Sequence, residues 1–139
     1  MKTLVSGYLH PKQALSAVEM IPRVREGLHV SEFDALRDLL DLTDRELARK
    51  VGVSVPTLYR RRQSKTRLDS QASDHIMRFA RLFGQAVEFF EGDEAAARRW
   101  LKRPAPTLSG LPPLDAAETE VGARAVEQLL GRLEHGVLA

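Results

Sequence analysis

The chain has 139 residues, with 21 Lys and Arg, 19 Asp and Glu, 43% apolar residues and no cysteine. A chain of this length forms one domain or two small ones, and it can bury a hydrophobic core without crosslinks. The absence of cysteine excludes a disulfide scaffold, a thiolate nucleophile and cysteine-ligated metal sites. No apolar segment is long enough to cross a bilayer, and no apolar leader follows Met1, so we expect a cytoplasmic protein without a membrane partner.

Positive charge is concentrated in one short segment. Residues 44–67 carry eight basic and two acidic side chains, for a net charge of +6, whereas residues 1–43 and 68–139 carry −1 and −3. Every charged residue between Ser54 and Arg67 is basic. Such a segment favours contact with a polyanion, although three consecutive arginines also occur on ordinary solvated helix faces.

Capping signals and helical periodicity predict four helices in the first half of the chain. The first covers Lys12–Ile21 and ends at Pro22, which cannot continue it. The second covers Ser31–Leu40, with Ser31 as its N-cap. The third covers Thr43–Gly52 and begins with a capping box, and the fourth is capped by Ser54.

Three further helices are predicted after residue 67. A long fifth helix carries one apolar stripe, made of Leu68, Ala72, Ile76, Phe79, Phe83, Val87 and Phe90. A sixth helix covers Ala95–Arg103, and the proline-rich connector Pro104–Pro113 is expected to hold little regular structure. A terminal helix is expected to bury a second stripe, made of Val121, Ala125, Leu129, Leu133 and Val137. These patterns together predict an all-α fold.

The two short helices within Asp44–Gln63 have the spacing of a helix-turn-helix. Ala48 is small enough for two helices to cross closely, and Gly52 can adopt the positive φ that a tight turn requires. Four apolar side chains are expected to anchor the pair in the core: Leu47, Val51, Val53 and Leu58. Ordinary bundles contain similar pairs, but here the second helix is also the basic one, which favours DNA binding.

We expect the second helix and the residues just after it to contact DNA. Thr57 and Arg60 are assigned to base edges, and the later basic residues to phosphates. The candidate DNA-binding residues are Ser54, Thr57, Tyr59, Arg60, Arg61, Arg62, Lys65 and Arg67.

No pattern typical of an enzyme is found. The four histidines are scattered and form no i, i+4 pair, and there is no Gly-rich phosphate loop or Gly-x-Ser-x-Gly elbow. We therefore expect no catalytic residue, no metal site and no cofactor.

Three stretches, in this order, resemble the Xre/MbcA/ParS family of bacterial antitoxins. The first comprises Leu42–Ala48, Val51–Ser54 and Thr57–Arg61. The second combines Gly92–Ala95 with Ala97, Trp100, Leu101 and Pro104. The third comprises Leu108, Gly110, Pro112–Leu114, Gly122 and Leu129–Gly136. The resemblance extends over about residues 28–136, and its most distinctive part is the Trp-Leu…Pro…Leu…Gly…Pro-Leu run ahead of the terminal helix.

The resemblance implies a two-part antitoxin. An Xre-like helix-turn-helix region would bind operator DNA and repress the operon, and a small helical domain would block a RES-domain toxin that consumes NAD or transfers ADP-ribose. In this reading Arg132 contacts toxin carboxylates, and either Glu134 or the terminal carboxylate imitates the negative charge of the toxin's ligand. The candidate toxin-binding residues are Trp100, Leu108, Arg132, Glu134, His135, Gly136, Val137, Leu138 and Ala139.

The expected organisation is an N-terminal helical extension (residues 1–27), a helix-turn-helix region with the long helix (28–90) and a toxin-binding domain (91–139). One helix-turn-helix reads about one half-site, so we expect a homodimer or a toxin–antitoxin hetero-oligomer. Two alternatives stay open. One is a stand-alone transcriptional regulator whose C-terminal helices dimerise or sense a ligand, and the other is a purely structural helical partner protein.

Overall fold

The computed structural model describes residues 3–9, 15–134 and 136 of the chain. In this part regular structure is helical, apart from one isolated antiparallel bridge between His29 and Arg67. Short 3₁₀ helices lie at Val5–Leu9 and Pro106–Leu108. The α-helices are α1 (Ala17–Glu26), α2 (Val30–Leu40), α3 (Asp44–Val51), α4 (Val55–Ser64), α5 (Ser70–Phe89), α6 (Glu94–Lys102), α7 (Pro113–Ala116) and α8 (Glu120–Glu134). The all-α prediction is confirmed.

The chain divides into two compact units, Met1–Ala80 and Arg81–Ala139, and the division lies within α5. The apolar stripe predicted for α5 is largely confirmed, since six of its seven members are less than 10% exposed: Leu68, Ala72, Ile76, Phe79, Phe83 and Val87. The seventh, Phe90, follows the end of the helix and is half-buried. Along the described residues, no helix combines the length and apolar character needed to cross a bilayer.

The core of the first unit collects the apolar faces of α2 to α5. Fully buried side chains come from all four helices: Phe33, Leu36, Leu40, Leu47, Val51, Leu58, Ile76 and Phe79. The 3₁₀ helix Val5–Leu9 packs on α2, where the Glu32 carboxylate accepts hydrogen bonds from the backbone N–H groups of Leu4 and Val5 (both 3.0 Å). Glu32 is itself buried, and these bonds satisfy its two oxygens.

Two boundaries in the first unit differ from the sequence prediction. Helix α1 begins after Ser16, whose side chain forms a capping box with Glu19, and it continues through Pro22 to Glu26. A proline costs this helix one backbone hydrogen bond, and Pro22 is exposed, so water can satisfy the carbonyl that is left free. In α2 the N-cap is His29 rather than Ser31, because the His29 ring accepts the Ser31 N–H.

The proline-rich segment of the second unit is more ordered than predicted. The N–H of Ala105 donates to the carbonyl of Leu111, and the N–H groups of Leu108 and Gly110 donate to the carbonyl of Ala105, all at 3.0 Å. These bonds close a compact loop that contains the second 3₁₀ helix. The loop places Leu108 in the core, where it is only 6% exposed.

Helix α8 buries only part of the predicted stripe: Leu129 is buried, Ala125 and Leu133 are half-buried, and Val121 is exposed, whereas Val137 lies outside the described residues. Its buried side chains are Ala123, Val126, Leu129 and Leu130, whereas Val121 is 78% exposed. Three residues separate this helix from α7, and a Cβ on Gly122 would lie only 1.7 Å from the carbonyl oxygen of Ala116. This close backbone approach constrains how the first turn of α8 faces α7, and the four-residue spacing of apolar residues does not reveal it.

Candidate functional site

The helix-turn-helix predicted from the sequence is formed by α3, a three-residue turn and α4. Gly52 has φ +80°, and its N–H and that of Val53 both donate to the carbonyl of Ala48 at 2.9 Å. A Cβ on Gly52 would meet no atom closer than 4.0 Å, so the glycine is required by its backbone angle and not by crowding. The four predicted anchors are all buried: Leu47, Val51, Val53 and Leu58.

Both helices of this motif begin with the predicted caps. The Thr43 side chain accepts the Glu46 N–H, and the Glu46 carboxylate accepts the Thr43 N–H (3.1 and 3.0 Å). On α4 the Ser54 hydroxyl accepts the Thr57 N–H at 3.2 Å. Leu58 is the one buried residue of α4, and the other side chains of this helix are exposed or half-buried.

At the N-terminal end of α4, three side chains are linked by hydrogen bonds. The Ser54 hydroxyl donates to Thr57 Oγ1 at 2.8 Å, and Arg60 Nη2 donates to the same oxygen at 2.9 Å. Both Ser54 and Arg60 are exposed. The guanidinium of Arg60 is therefore oriented by a hydroxyl group and keeps its full positive charge available to a partner.

Arg61 lies toward the other end of the helix. Its Nη1 donates to Thr66 Oγ1 at 3.3 Å, and Thr66 Oγ1 lies 2.8 Å from Ser64 Oγ. An open hollow of about 580 Å³ is lined by Arg60, Arg61, Gln63 and Ser64. Neither Gln63 nor Ser64 is among the predicted site residues, because polar residues near a helix C-terminus are common.

Arg62 occupies a different environment, in which its guanidinium is paired within the protein, and its predicted phosphate contact stays a prediction. Its guanidinium donates to Asp44 through Nη1 and Nη2 (both 2.9 Å) and to Asp34 Oδ1 through Nη2 (2.6 Å). The same guanidinium lies over the rings of Phe33 and Tyr59, at 5.9 and 5.7 Å from their centroids. Arg62 is thus engaged in holding α4 against α2 and α3.

A second arginine completes this ionic cluster. Arg37 Nη1 donates to Asp44 Oδ1 at 2.8 Å and to Asp34 Oδ1 at 3.3 Å. Hydrogen bonds from Arg62, and then from Arg37, lower the pKa of Asp44 to about 2 despite partial burial. The pKa values of Arg62 and Arg37 are raised, in both cases chiefly by the hydrogen bond to Asp44. Sequence reasoning missed this cluster because Asp34 and Arg62 are 28 positions apart and share no local pattern.

The remaining predicted DNA contacts lie on the surface. Tyr59 is 52% exposed, and its ring is oriented by the contact with Arg62. Lys65 is the left-handed C-cap of α4 and is exposed. Arg67 is exposed while its Nη1 donates to the carbonyl of Gly27 at 3.0 Å. For these residues a role in DNA binding stays a prediction.

The second unit places the other candidate residues in two groups. Trp100, on α6, is half-buried, and Leu108 belongs to the core, so it has almost no surface to offer a partner. In this structure the Leu108 side chain packs under the proline-rich loop, and its predicted contact with a toxin stays a prediction. Arg132 and Glu134 are exposed in the last turn of α8, and Gly136 is exposed with φ +65°. His135, Val137, Leu138 and Ala139 lie outside the described residues.

Two family models match the chain in succession. A model described as the antitoxin Xre-like helix-turn-helix domain matches residues 19–81. A model described as the antitoxin Xre/MbcA/ParS C-terminal toxin-binding domain matches residues 85–136. The first match contains α3, α4 and the ionic cluster, and the second contains α6, α7 and α8.

Curated relatives agree with these matches over most of their length. A protein named Antitoxin Xre from Photorhabdus laumondii is 33% identical over 116 residues, which cover 84% of this chain and 78% of the relative. Another Antitoxin Xre, from Yersinia enterocolitica, is 33% identical over 120 residues, which cover 86% of this chain and 81% of that relative. A Sphingobium protein named Prs ADP-ribosylating antitoxin is 23% identical over 132 residues, covering 89% and 83%. With its helix-turn-helix and its C-terminal helices in the matched order, the chain belongs to the Xre/MbcA/ParS family of antitoxins.

Proposed function

We propose that this antitoxin neutralises a RES-domain toxin with its C-terminal unit and represses its own operon by binding operator DNA through α4. One combination of features carries the proposal. A segment that matches a toxin-binding domain follows a helix-turn-helix whose second helix carries the exposed Arg60 and the half-buried Arg61.

The arrangement of charge on α4 supports the DNA-binding half. Within the part of the chain that the structure describes, Arg60 and Arg61 have hydroxyl partners rather than carboxylate partners, so no described carboxylate neutralises their charge. Lys65 and Arg67 extend the same basic segment beyond the helix. Positive side chains on an exposed second helix are what phosphate contacts and base readout require.

The toxin-binding half is supported by the match over residues 85–136 and by the exposed end of α8. The Sphingobium relative is named for ADP-ribosylation, which is chemistry of the NAD-consuming class. In the proposed complex Arg132 contacts toxin carboxylates, and Glu134 takes the place of a negative group of the dinucleotide. Residues 137–139 are proposed to continue into the toxin cleft.

Co-expression with a cognate RES-domain toxin tests the toxin-binding half of the proposal. We expect the full chain to restore growth and cellular NAD, and we expect neutralisation to be lost on deleting residues 137–139 or on replacing Arg132 and Glu134 with Ala. Arg124→Ala is the matched control, because Arg124 is an exposed arginine of the same helix that pairs with Glu120.

If the full chain neither binds the toxin nor restores NAD, the antitoxin half of the proposal is wrong. If the C-terminal variants change self-association and leave neutralisation intact, the stand-alone regulator is the better description of the C-terminal unit.

A further inference from the structure

Three consecutive arginines on α4 have three different environments. Arg62 is neutralised by two aspartates, and Arg61 reaches toward the C-terminal end of the helix. Arg60 alone reaches back one turn, to Thr57. In helix-turn-helix proteins the N-terminal residues of the second helix face the base edges. Of the three arginines, Arg60 is the one whose guanidinium is held toward this N-terminal end of α4.

The cluster of Ser54, Thr57 and Arg60 presents hydrogen-bond donors. A threonine hydroxyl has two acceptor lone pairs and one hydrogen. Both lone pairs of Thr57 Oγ1 are used, by Ser54 Oγ at 2.8 Å and by Arg60 Nη2 at 2.9 Å. The Thr57 hydroxyl can therefore act toward a partner only as a hydrogen-bond donor. The neighbouring Arg60 guanidinium can also act only as a donor.

Among the four bases, guanine fits such a cluster best. Guanine presents two neighbouring acceptors in the major groove, N7 and O6, whereas cytosine presents a donor, and adenine an acceptor next to a donor. Thymine has one acceptor beside its methyl group. A carboxylate next to Arg60 would have competed for the same donors, but within the described ranges Thr57 Oγ1 is the partner of this guanidinium.

We propose that Arg60 is the specificity-determining residue of the DNA contact and reads guanine, with Thr57 as the residue that positions it. The inference rests on the proposed DNA binding and adds the base that is recognised. Arg61, which is directed away from the N-terminal end, contacts phosphate and carries no sequence preference.

The test selects duplexes from a randomised DNA library with the full-length chain and then substitutes each preferred base pair in turn, at fixed salt. We expect one G·C pair in each half-site whose replacement weakens wild-type binding about 10- to 100-fold. In Arg60→Ala this penalty disappears. In Arg61→Ala the penalty is kept, while binding to all sequences weakens and the salt slope falls by about one.

Thr57 is tested by two variants that differ in one hydroxyl group. Thr57→Ser keeps the acceptor and should keep the discrimination for guanine, whereas Thr57→Val should lower it without changing the salt slope. Thermal unfolding of each variant confirms that the fold is intact.

The outcomes separate this inference from the proposed function. If Arg60→Ala weakens all duplexes equally and keeps the preference, Arg60 contacts phosphate and the inference is overturned. If the preference is lost equally in Arg61→Ala, the assignment of Arg60 is also overturned, although DNA binding stands. If the wild-type chain binds no duplex, the proposed DNA binding fails and this inference fails with it.

Discussion

The helix-turn-helix and the terminal helix α8 differ in how their buried faces are determined. In α3 and α4 the apolar residues expected to pack inward do so, and Leu47, Val51 and Leu58 have no exposed surface. In α8 an equally regular apolar spacing predicts the buried face only in part, since Leu129 is buried but Val121 is 78% exposed, and Ala123, Val126 and Leu130 are buried outside the predicted stripe. Helix α3 packs on α4 across a three-residue turn, and α8 packs on the preceding helix α7, where Gly122 closely approaches Ala116.

The difference teaches that caps and a turn glycine specify the packing of α3 and α4, whereas apolar spacing alone does not fix which face of α8 is buried. The turn between α3 and α4 fixes both helices through two caps and one glycine. The first turn of α8 is constrained by a backbone contact that no periodicity reveals. The predictions below test this contrast, from the largest expected effect to the smallest.

Leu108→Ala should destabilise the second unit by about 3 kcal/mol, because it removes a buried side chain and leaves a cavity. Val121→Ala, its matched control, should change the free energy of unfolding by less than about 0.5 kcal/mol. Trp100 is the only tryptophan and lies in this unit, so its fluorescence during urea unfolding reports the change. Equal effects of the two variants would show that the burial described for α8 and the loop is wrong.

Gly122→Ala should cost about 2–3 kcal/mol, since the new Cβ would clash with the backbone at Ala116. Gly131 lies in the same helix, and a Cβ there meets nothing within 4 Å. Gly131→Ala should therefore stabilise the protein by up to about 1 kcal/mol through helix propensity. The same urea titration measures the change in the free energy of unfolding for both variants, and we expect the two changes to have opposite signs. Destabilisation by both variants would contradict the account of α8.

The ionic cluster of the first unit should make the free energy of unfolding depend on pH in the acidic range. The pKa of Asp44 is lowered from 3.8 to about 2 by Arg62 and Arg37, so the folded state favours its charged form. This contribution, about 2 kcal/mol, is fully present above about pH 4 and is lost as the pH falls toward 2. Asp44→Asn should be less stable than wild type at pH 7, and the difference should shrink between pH 4 and pH 2.

Asp74→Asn is the control for this titration, because Asp74 is 65% exposed and lies 4.0 Å from Arg78. Its difference from wild type should be small and nearly constant with pH. A difference for Asp44→Asn that does not change between pH 4 and pH 2 would mean that Asp44 gains nothing from its two arginines.

Most of the fold could be predicted from the sequence, and the reasons are local. The capping box at Thr43, the N-cap at Ser54 and the positive φ of Gly52 depend on residues within a few positions of each other. The different environments of Arg60, Arg61 and Arg62 could not be predicted from the sequence. They differ because Asp34 and Asp44 pair with Arg62, and these residues come together only in the folded chain. The burial of Leu108 likewise depends on a loop closed by backbone bonds that any sequence could make.

The central claim is that α4 binds DNA through arginines that no described carboxylate neutralises. The most direct measurement is the affinity of the full-length chain for the duplex upstream of its own gene, over a series of salt concentrations, compared with Arg60→Ala/Arg61→Ala and with Arg124→Ala. We predict that wild type and Arg124→Ala bind equally, with affinity that falls steeply as salt rises, and that the double variant binds at least about 10-fold more weakly. Binding that is insensitive to salt, or equal for all three proteins, would contradict the claim.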